Sequence, residues 1–476
     1  MTYSYRRVLL ILISTLFVVF EGYNEAGASV LPTIPSNEEL TRQRTQNSLN
    51  LSAKLLCSGV FVSNRPAEKV IEEDLHWSGY SFFDWERTSV DINKQQKTVT
   101  LRLKEEAGDR IIRSEAATFD EGYGCTLLPY QATRLPIVRP KRVSKSTTRP
   151  LPINEANTSD AISSILNQAF EETPGKPRQR TRAILVLQDG QIIAEQYADG
   201  FSKETSFLGW SMGKSIAAIL FGAFAEQNSL DIDDPVPLVE WQSTSDPRNS
   251  ITPRHLLNMA GGLSFANPGS DDQLYYTDLH DHESVYFRSQ NIERFVVDRP
   301  LSSVPGETFA YRNTNTLNLM AMIRRGIGDE AIISFANRAV FAKIGADSVV
   351  LETDPYGNPI ITGNVYATAR DWARLGDLVR RDGVIDGERL WPKGWRDNVM
   401  LKPSKAAPFY GGQMWLNTNK RFKSIPANAG YFLGWGDQIV LVIPSRNMVV
   451  VRLGLSDGGF VPYFDNLLKD LLAATK

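Results

Sequence analysis

The spacing of apolar residues changes several times along the chain, and each change predicts a different element. Apolar residues run from Val8 to Phe20 behind Arg6 and Arg7, and Ala26-Gly27-Ala28 stands before Ser29. A basic head, a short apolar centre and an A-x-A exit are the layout of a cleavable secretory signal over 1–28. The run is shorter than the ~20 residues of a spanning helix; an uncleaved anchor or a buried helix is the alternative. Residues 29–130 read as a small N-terminal module. Its first part, 29–50, is polar and weakly periodic and predicts a loose arm. Further on, Thr98-Val99-Thr100-Leu101-Arg102-Leu103 alternates as a half-buried strand does. Residues 131–155 predict a basic, Pro-rich linker, with Arg134, Arg139, Lys141, Arg142, Lys145 and Arg149 among prolines. Such a stretch could touch phosphates or lipid headgroups, but a solvated connector is the simpler reading.

The main domain is expected over 156–476. Asn157, Thr158 and Ser159 are all N-cap types, and Ala161, Ile162, Ile165, Leu166 and Phe170 form a helical stripe behind them. Ala183 to Gln188, a turn at Asp189-Gly190, and Gln191 to Tyr197 predict a hairpin. A second hairpin runs from Gln438 to Ile443 and back from Met448 to Leu453, before a helix around Phe464 to Ala474. Strands at both ends with mainly helical sequence between them predict an α+β domain: an antiparallel sheet flanked by helices, with a helical insertion. No internal repeat is visible.

Composition narrows the class. The 476 residues are 42% hydrophobic and 22% charged, with a formal charge of −2, which gives no pull toward nucleic acid or anionic membranes. Cys57 and Cys125 are the only cysteines. In an exported chain they are candidates for a disulfide closing a loop of about 68 residues and contributing roughly 3–4 kcal/mol; two buried thiols are the alternative.

Candidate chemistry centres on Gly209-Trp210-Ser211-Met212-Gly213-Lys214. It satisfies Gly-x-Ser-x-Gly, which needs a late histidine as base, and Ser-x-x-Lys, which does not. No histidine follows His282, so the first has no natural base. The apolar run Ser215 to Glu226 predicts a helix starting at Ser211, with Lys214 one turn on and on the same face. Burial beside Trp210 and Met212 would lower the lysine pKa and leave a neutral amine to activate the hydroxyl. Taken alone, four residues of this kind are as well explained by an N-cap serine and a snorkelling lysine.

The longer text LGWSMGKSIAAILFGAFAEQNSLDIDDPV, followed by ITPRHLLNMAGGL, resembles the serine β-lactamase and penicillin-recognising superfamily, in its class C-like branch of esterases, D-aminopeptidases and 6-aminohexanoate-oligomer hydrolases. GFSKETSFLGWSMGKS and PGETFAYRNTNT are most similar to the 6-aminohexanoate hydrolase-like members. The resemblance covers about residues 180–470. It implies a β-lactamase/transpeptidase-like fold, an acyl-enzyme on Ser211 and hydrolysis of small-molecule esters or amides without cofactor or metal. It also implies a Tyr-x-Asn motif. Tyr356-Gly357-Asn358 lies between prolines and reads as a turn, so the role passes to Tyr311-Arg312-Asn313. Tyr311 is expected to share the base role, partly as phenolate, and Asn313 to bond Lys214 or the substrate amide. The third motif falls on Gly434-Trp435-Gly436-Asp437, whose backbone would complete an oxyanion hole. Asp437 stands where relatives carry a cation, which argues against carboxylate-bearing β-lactams. His280-Asp281-His282-Glu283, with Asp278, could hold a metal, but a solvated loop is the simpler reading, and His255 reads as structural. A noncatalytic cell-envelope binding protein on the same fold, a D-amino-acid peptidase and a β-lactamase remain alternatives. Export to the periplasm or medium is expected, with no membrane span once the signal is removed.

Overall fold

The computed structural model describes residues 37–77, 85–105, 108, 110–128, 150–154, 160–266, 281–288 and 291–475. The expected signal, most of the linker, the caps Asn157–Ser159, and Asp278 and His280 lie outside them. Among the described residues no helix is long and apolar enough to cross a membrane.

The N-terminal part joins α1 (Asn37–Phe61) and α2 (Ala67–Val70) to an antiparallel sheet of β1 (Thr88–Asn93), β2 (Thr98–Lys104), β3 (Ile111–Asp120) and β4 (Gly124–Leu127), in that order. The alternation of β2 buries Val99, Leu101 and Leu103 in one cluster with Leu49, Ala53 and Leu56 of α1. Helix α1 corrects the expected loose arm over residues 37–50; residues 29–36 lie outside the described residues. Its buried side carries Asn47, Asn50, Ser52, Lys54 and Ser58 as well as apolar residues, so the sequence shows no clean hydrophobic stripe. Cys57 of α1 is disulfide-bonded to Cys125 of β4.

The larger part begins with α3 (Asp160–Phe170), β5 (Thr181–Gln188), β6 (Gln191–Tyr197), β7 (Ser206–Leu208) and α4 (Met212–Asn228). A mainly helical stretch follows: α5 (Pro253–Leu257), α6 (Asp281–Glu283), α7 (Ile292–Val297), α8 (Asn313–Gly326), α9 (Ile332–Ala336) and α10 (Ala342–Ile344). Then come β8 (Val350–Leu351), β9 (Val365–Thr368), α11 (Ala369–Arg380) and a short hairpin, β10 (Val384–Ile385) and β11 (Glu388–Arg389). The chain ends with β12 (Trp415–Leu416), β13 (Gly430–Gly434), β14 (Gln438–Ile443), β15 (Met448–Gly454) and α12 (Phe460–Ala474).

The main sheet has the order β12-β13-β14-β15-β5-β6, antiparallel throughout. The two hairpins read from the sequence meet at its centre, where Val450 lies opposite Val186. Every residue of β14 and β15 is buried because both faces are covered. Val440, Val442, Val449 and Val451 face the core shared with α4 and α11, while Ile439, Leu441 and Val450 face α3 and α12.

The two parts meet through a buried carboxylate. Glu352, just after β8, receives the Lys54 ammonium at 2.9 Å, the Ser58 hydroxyl at 2.6 Å and the Cys125 backbone N–H at 2.8 Å. Neither Lys54 nor Glu352 touches solvent appreciably. Such a pair holds the ions' mutual attraction against a large desolvation cost, so losing one partner is worse than losing both. Lys54→Ala should destabilise the protein by about 3–5 kcal/mol in urea unfolding, and Lys54→Met with Glu352→Leu by much less. Equal losses in the two variants would contradict this account.

Candidate active site

Trp210 sits at φ +48, a left-handed conformation that a bulky residue seldom adopts. This bend carries the chain from β7 into α4 and leaves Ser211 as the helix N-cap, half-buried at the mouth of the site. Among the described residues its backbone N–H has no backbone partner. Gly213 faces the chain at 361: a Cβ there would come within 1.9 Å of the Ile361 carbonyl oxygen. A glycine is therefore required for α4 to lie against this segment.

Lys214 is one turn on and fully buried. Its Nζ is 3.0 Å from Ser211 Oγ and 3.1 Å from the Thr362 carbonyl oxygen. Tyr311 comes just before α8, and its ring lies 4.8 Å from Nζ. Burial alone, with no charged partner, brings the Lys214 pKa down to about 7. Burial also pushes the Tyr311 hydroxyl up to about 12, against hydrogen bonding from Ser211 and from Trp415. This corrects the expected partial phenolate. The surroundings favour a neutral amine beside a protonated phenol, since both shifts disfavour charge.

Asn313 does not bond Lys214, the first of the two partners expected for it. Its Nδ2 lies 3.3 Å from the Tyr286 hydroxyl and 3.3 Å from His282 Nδ1, not on Lys214. Tyr286 in turn donates to Thr362 Oγ1 at 3.0 Å. A polar chain thus runs from His282 and Asn313 through Tyr286 to the residue whose carbonyl holds Lys214. Tyr286 and Thr362 carry no local signal in the sequence. The carbonyl belongs to a residue 148 positions from Lys214, and any residue type would supply it.

The third motif forms the turn between β13 and β14, as expected, but its side chains diverge. A Cβ on Gly434 would meet the Gly209 carbonyl oxygen at 2.0 Å, so β13 crosses the chain just before Ser211. Trp435 remains exposed, and Gly436, at φ +73, closes the turn. Asp437 does not line the site. It is left-handed at φ +63 just before β14, and it lies by the buried Arg452 guanidinium, which sits over Phe460 of α12 and donates to the Asp437 backbone oxygen at 3.1 Å. Burial raises its pKa, and Arg452 opposes the rise. The Asp437 side chain therefore gives no reason to exclude carboxylate-bearing β-lactams.

The backbone donor on this edge lies earlier in the strand. The Asn417 N–H donates to the Ala429 carbonyl at 2.9 Å, which turns residue 429 toward β12. Alternation then turns Tyr431 and Leu433 the same way. Strand β12 pairs only with Gly430 and Tyr431, so the Leu433 N–H faces outward beyond its end. Trp415, paired with Tyr431, also packs its ring on Tyr311 at 5.4 Å.

The remaining candidates are structural in their contacts. His255 and Thr252 form a reciprocal cap at the start of α5. Asp281 accepts the Ala266 N–H at 2.8 Å and pairs with Arg299 at 3.1 Å. Tyr356 lies in an exposed turn, and Asn358 bonds Asp354. Among the described residues no group of three or more His, Cys, Asp and Glu is arranged to hold a metal.

Residues 166–474 match the family model described as Beta-lactamase. A 6-aminohexanoate-dimer hydrolase of Paenarthrobacter ureafaciens is 25% identical over 247 residues, which is 51% of this chain and 61% of that relative. The chain thus spans less than two thirds of that relative's length. Among solved structures, a candidate 6-aminohexanoate-dimer hydrolase from Bacillus anthracis superposes with TM-score 0.54 at 19% identity, covering 68% of this chain and 87% of the other. A family VIII carboxylesterase superposes with TM-score 0.50 at 12% identity, covering 68% and 99%. At such identities these two structures share the fold.

The contact at Gly213 makes the site sensitive to one methyl group. Gly213→Ala should push α4 off the 361–362 segment and part Lys214 from Thr362. Activity should fall by about 100-fold, since displacements near 1 Å cost that much, with a lower melting temperature. Wild-type turnover in a folded variant would refute the packing argument.

Proposed function

The chain belongs to the beta-lactamase family, and from that premise we propose that it is a serine hydrolase that cleaves small-molecule esters or amides through an acyl-enzyme on Ser211. The observation that carries the reading is a buried lysine, 3.0 Å from the serine hydroxyl, whose pKa lies near 7 with no carboxylate holding its proton. A neutral Lys214 has two N–H groups and one lone pair. One N–H donates to Thr362, which leaves the lone pair free to accept the Ser211 proton. The oxygen then attacks the substrate carbonyl. The resulting oxyanion lies between the backbone N–H groups of Ser211 and Leu433, at the positive end of α4.

Collapse of that intermediate breaks the bond to the leaving group. Tyr311, protonated at neutral pH and close to both Ser211 and Lys214, hands its proton to the departing oxygen or nitrogen and is reprotonated from the Lys214 ammonium. Water enters, gives a proton to the same pair and attacks the ester carbonyl; the bond to Ser211 Oγ then breaks, the pair returns the proton to that oxygen, and the acid leaves. The 25% identity to a 6-aminohexanoate-dimer hydrolase favours linear amides and esters as substrates. We also propose that the protein is exported, with mature chain starting at Ser29. The basic head, apolar run and A-x-A exit support this, and the Cys57–Cys125 disulfide fits an oxidising compartment.

The base must be neutral to act, so activity should increase with pH. With p-nitrophenyl acetate, kcat/KM should climb through a single ionisation near pH 7 and stay level to about pH 10. Ser211→Ala should abolish turnover and labelling by a fluorophosphonate without unfolding the protein. Labelling at another residue, or a rate independent of pH between 5 and 9, would exclude this mechanism; no labelling at all would favour the noncatalytic binding protein. For export, sequencing of the secreted protein should begin at Ser29, and an intact N-terminus would count against cleavage.

A further inference from the structure

The carbonyl that holds Lys214 belongs to a short segment gripped from two sides. Glu352 anchors one of them. Its backbone N–H donates to the Asn364 carbonyl at 3.0 Å, and its own carbonyl accepts the Ile360 N–H at 2.8 Å. Those two residues stand two positions to either side of Thr362, so the segment follows wherever Glu352 is held. The Glu352 carboxylate is held by Lys54, Ser58 and the Cys125 N–H of the N-terminal part. Thr126 of the same part bonds the neighbouring Thr353 carbonyl at 3.1 Å.

Tyr286 closes the other side. It lies in the helical stretch Ser284–Arg288 and is buried. Its hydroxyl donates to Thr362 Oγ1 at 3.0 Å and accepts from Asn313 Nδ2 at 3.3 Å. A Cβ on Gly363 would come within 2.5 Å of the ring, so the ring and the backbone beside Thr362 are in close contact. Burial pushes the hydroxyl well above its usual pKa, and it therefore stays a donor wherever Lys214 can act.

The N-terminal part reaches this stretch as well. The side-chain amide of Asn50 in α1, itself buried, donates to the Phe287 carbonyl at 3.0 Å. Phe287 follows Tyr286 directly, so α1 holds the backbone that carries the Tyr286 ring. One helix thus supports both grips, through Lys54 and Ser58 on Glu352 and through Asn50 on Phe287.

We propose that the N-terminal part is a positioning element of the active site: Asn50 holds the backbone at Phe287, Tyr286 thereby fixes Thr362, and the Thr362 carbonyl orients the Lys214 amine toward Ser211. Asn50 and Tyr286 are positioning residues, since each acts through another group. Lys214 spends one N–H on Thr362, so a carbonyl that wanders lets the amine rotate and turns its lone pair away from the Ser211 hydroxyl. The part that gives this support precedes residues 166–474, the portion matching the family model. The base of a family-type site is thus steadied by sequence outside the family domain. The inference rests on Lys214 being the base for Ser211.

The test is the rate at which a fluorophosphonate labels Ser211 in the full-length protein at about pH 8.5, where Lys214 is neutral. The amplitude of labelling counts folded molecules. The rate constant reports how well the amine is placed in them, so a general folding defect lowers the amplitude alone. Tyr286→Phe keeps the ring against Gly363 and removes only the hydroxyl; its rate constant should fall by about tenfold. Asn50→Ala should lower the rate constant by about threefold or more. Because both residues act through Thr362, their losses should not multiply, and the double variant should stay within about twofold of Tyr286→Phe. A rate constant within about twofold of wild type in either single variant overturns the proposal, as does a double variant whose losses multiply. Each of these outcomes leaves the Ser211 assignment intact. Failure of the wild-type protein to be labelled overturns that assignment and the proposal together.

Discussion

An amine held away from water must either give up its proton or take in a counter-charge. Lys214 has no counter-charge: its pKa is lowered by burial alone. The surroundings are arranged to hold an uncharged amine in one orientation. Gly213 allows α4 to approach the 361–362 segment, the Thr362 carbonyl takes one N–H, and the Tyr311 ring covers the nitrogen. Tyr286 and Asn313 then fix Thr362 from behind. The same exclusion of water that makes Lys214 a base keeps Tyr311 protonated, so one cause separates an acceptor from a donor within a single cluster.

Much of this architecture is legible in the sequence, for physical reasons that differ between elements. The strands β14 and β15 are covered on both faces, and α4 is buried from Met212 to Ala225; both therefore read as continuous apolar runs. Ser211 and Lys214 sit on one helical turn, where spacing in sequence is spacing in space. Helix α1 is hidden because its packed side is half polar, and Glu352, which Ser58 bonds, lies 294 residues away. The acceptor on Lys214 is a backbone carbonyl, which no residue type announces. At Gly434–Asp437 the turn is legible but the facing is not. Left-handed backbone at Gly436 and Asp437 sets where the Asp437 side chain lies, and strand parity, which depends on register with β12, turns the Leu433 N–H outward.

Contacts between the N-terminal part and the rest combine an apolar cluster, which takes in Trp210 and Leu455, with specific polar bonds. Asn50 bonds the Phe287 carbonyl at 3.0 Å, next to Tyr286, and Ser63 bonds the Ser206 carbonyl at 2.7 Å, at the start of β7, which leads to the nucleophile. Arg65 and Arg182 flank the Phe201 ring and converge on Asp74. Directional contacts of this kind fix a relative position more tightly than an equal area of apolar surface, because each has an angle as well as a distance.

The buried carboxylate at Glu352 also imposes an order on assembly. Lys54, Ser58 and Cys125 are synthesised early, yet Ser58 is 294 residues and Cys125 is 227 residues ahead of their shared acceptor. Until residue 352 leaves the ribosome, α1 and β4 have no carboxylate to close around, and the Lys54 ammonium stays in water. The segment made first is thus completed late, after the strands that bring Glu352 into place. The sheet and disulfide of the N-terminal part are local, but the partner of its buried lysine is supplied only by a residue made later.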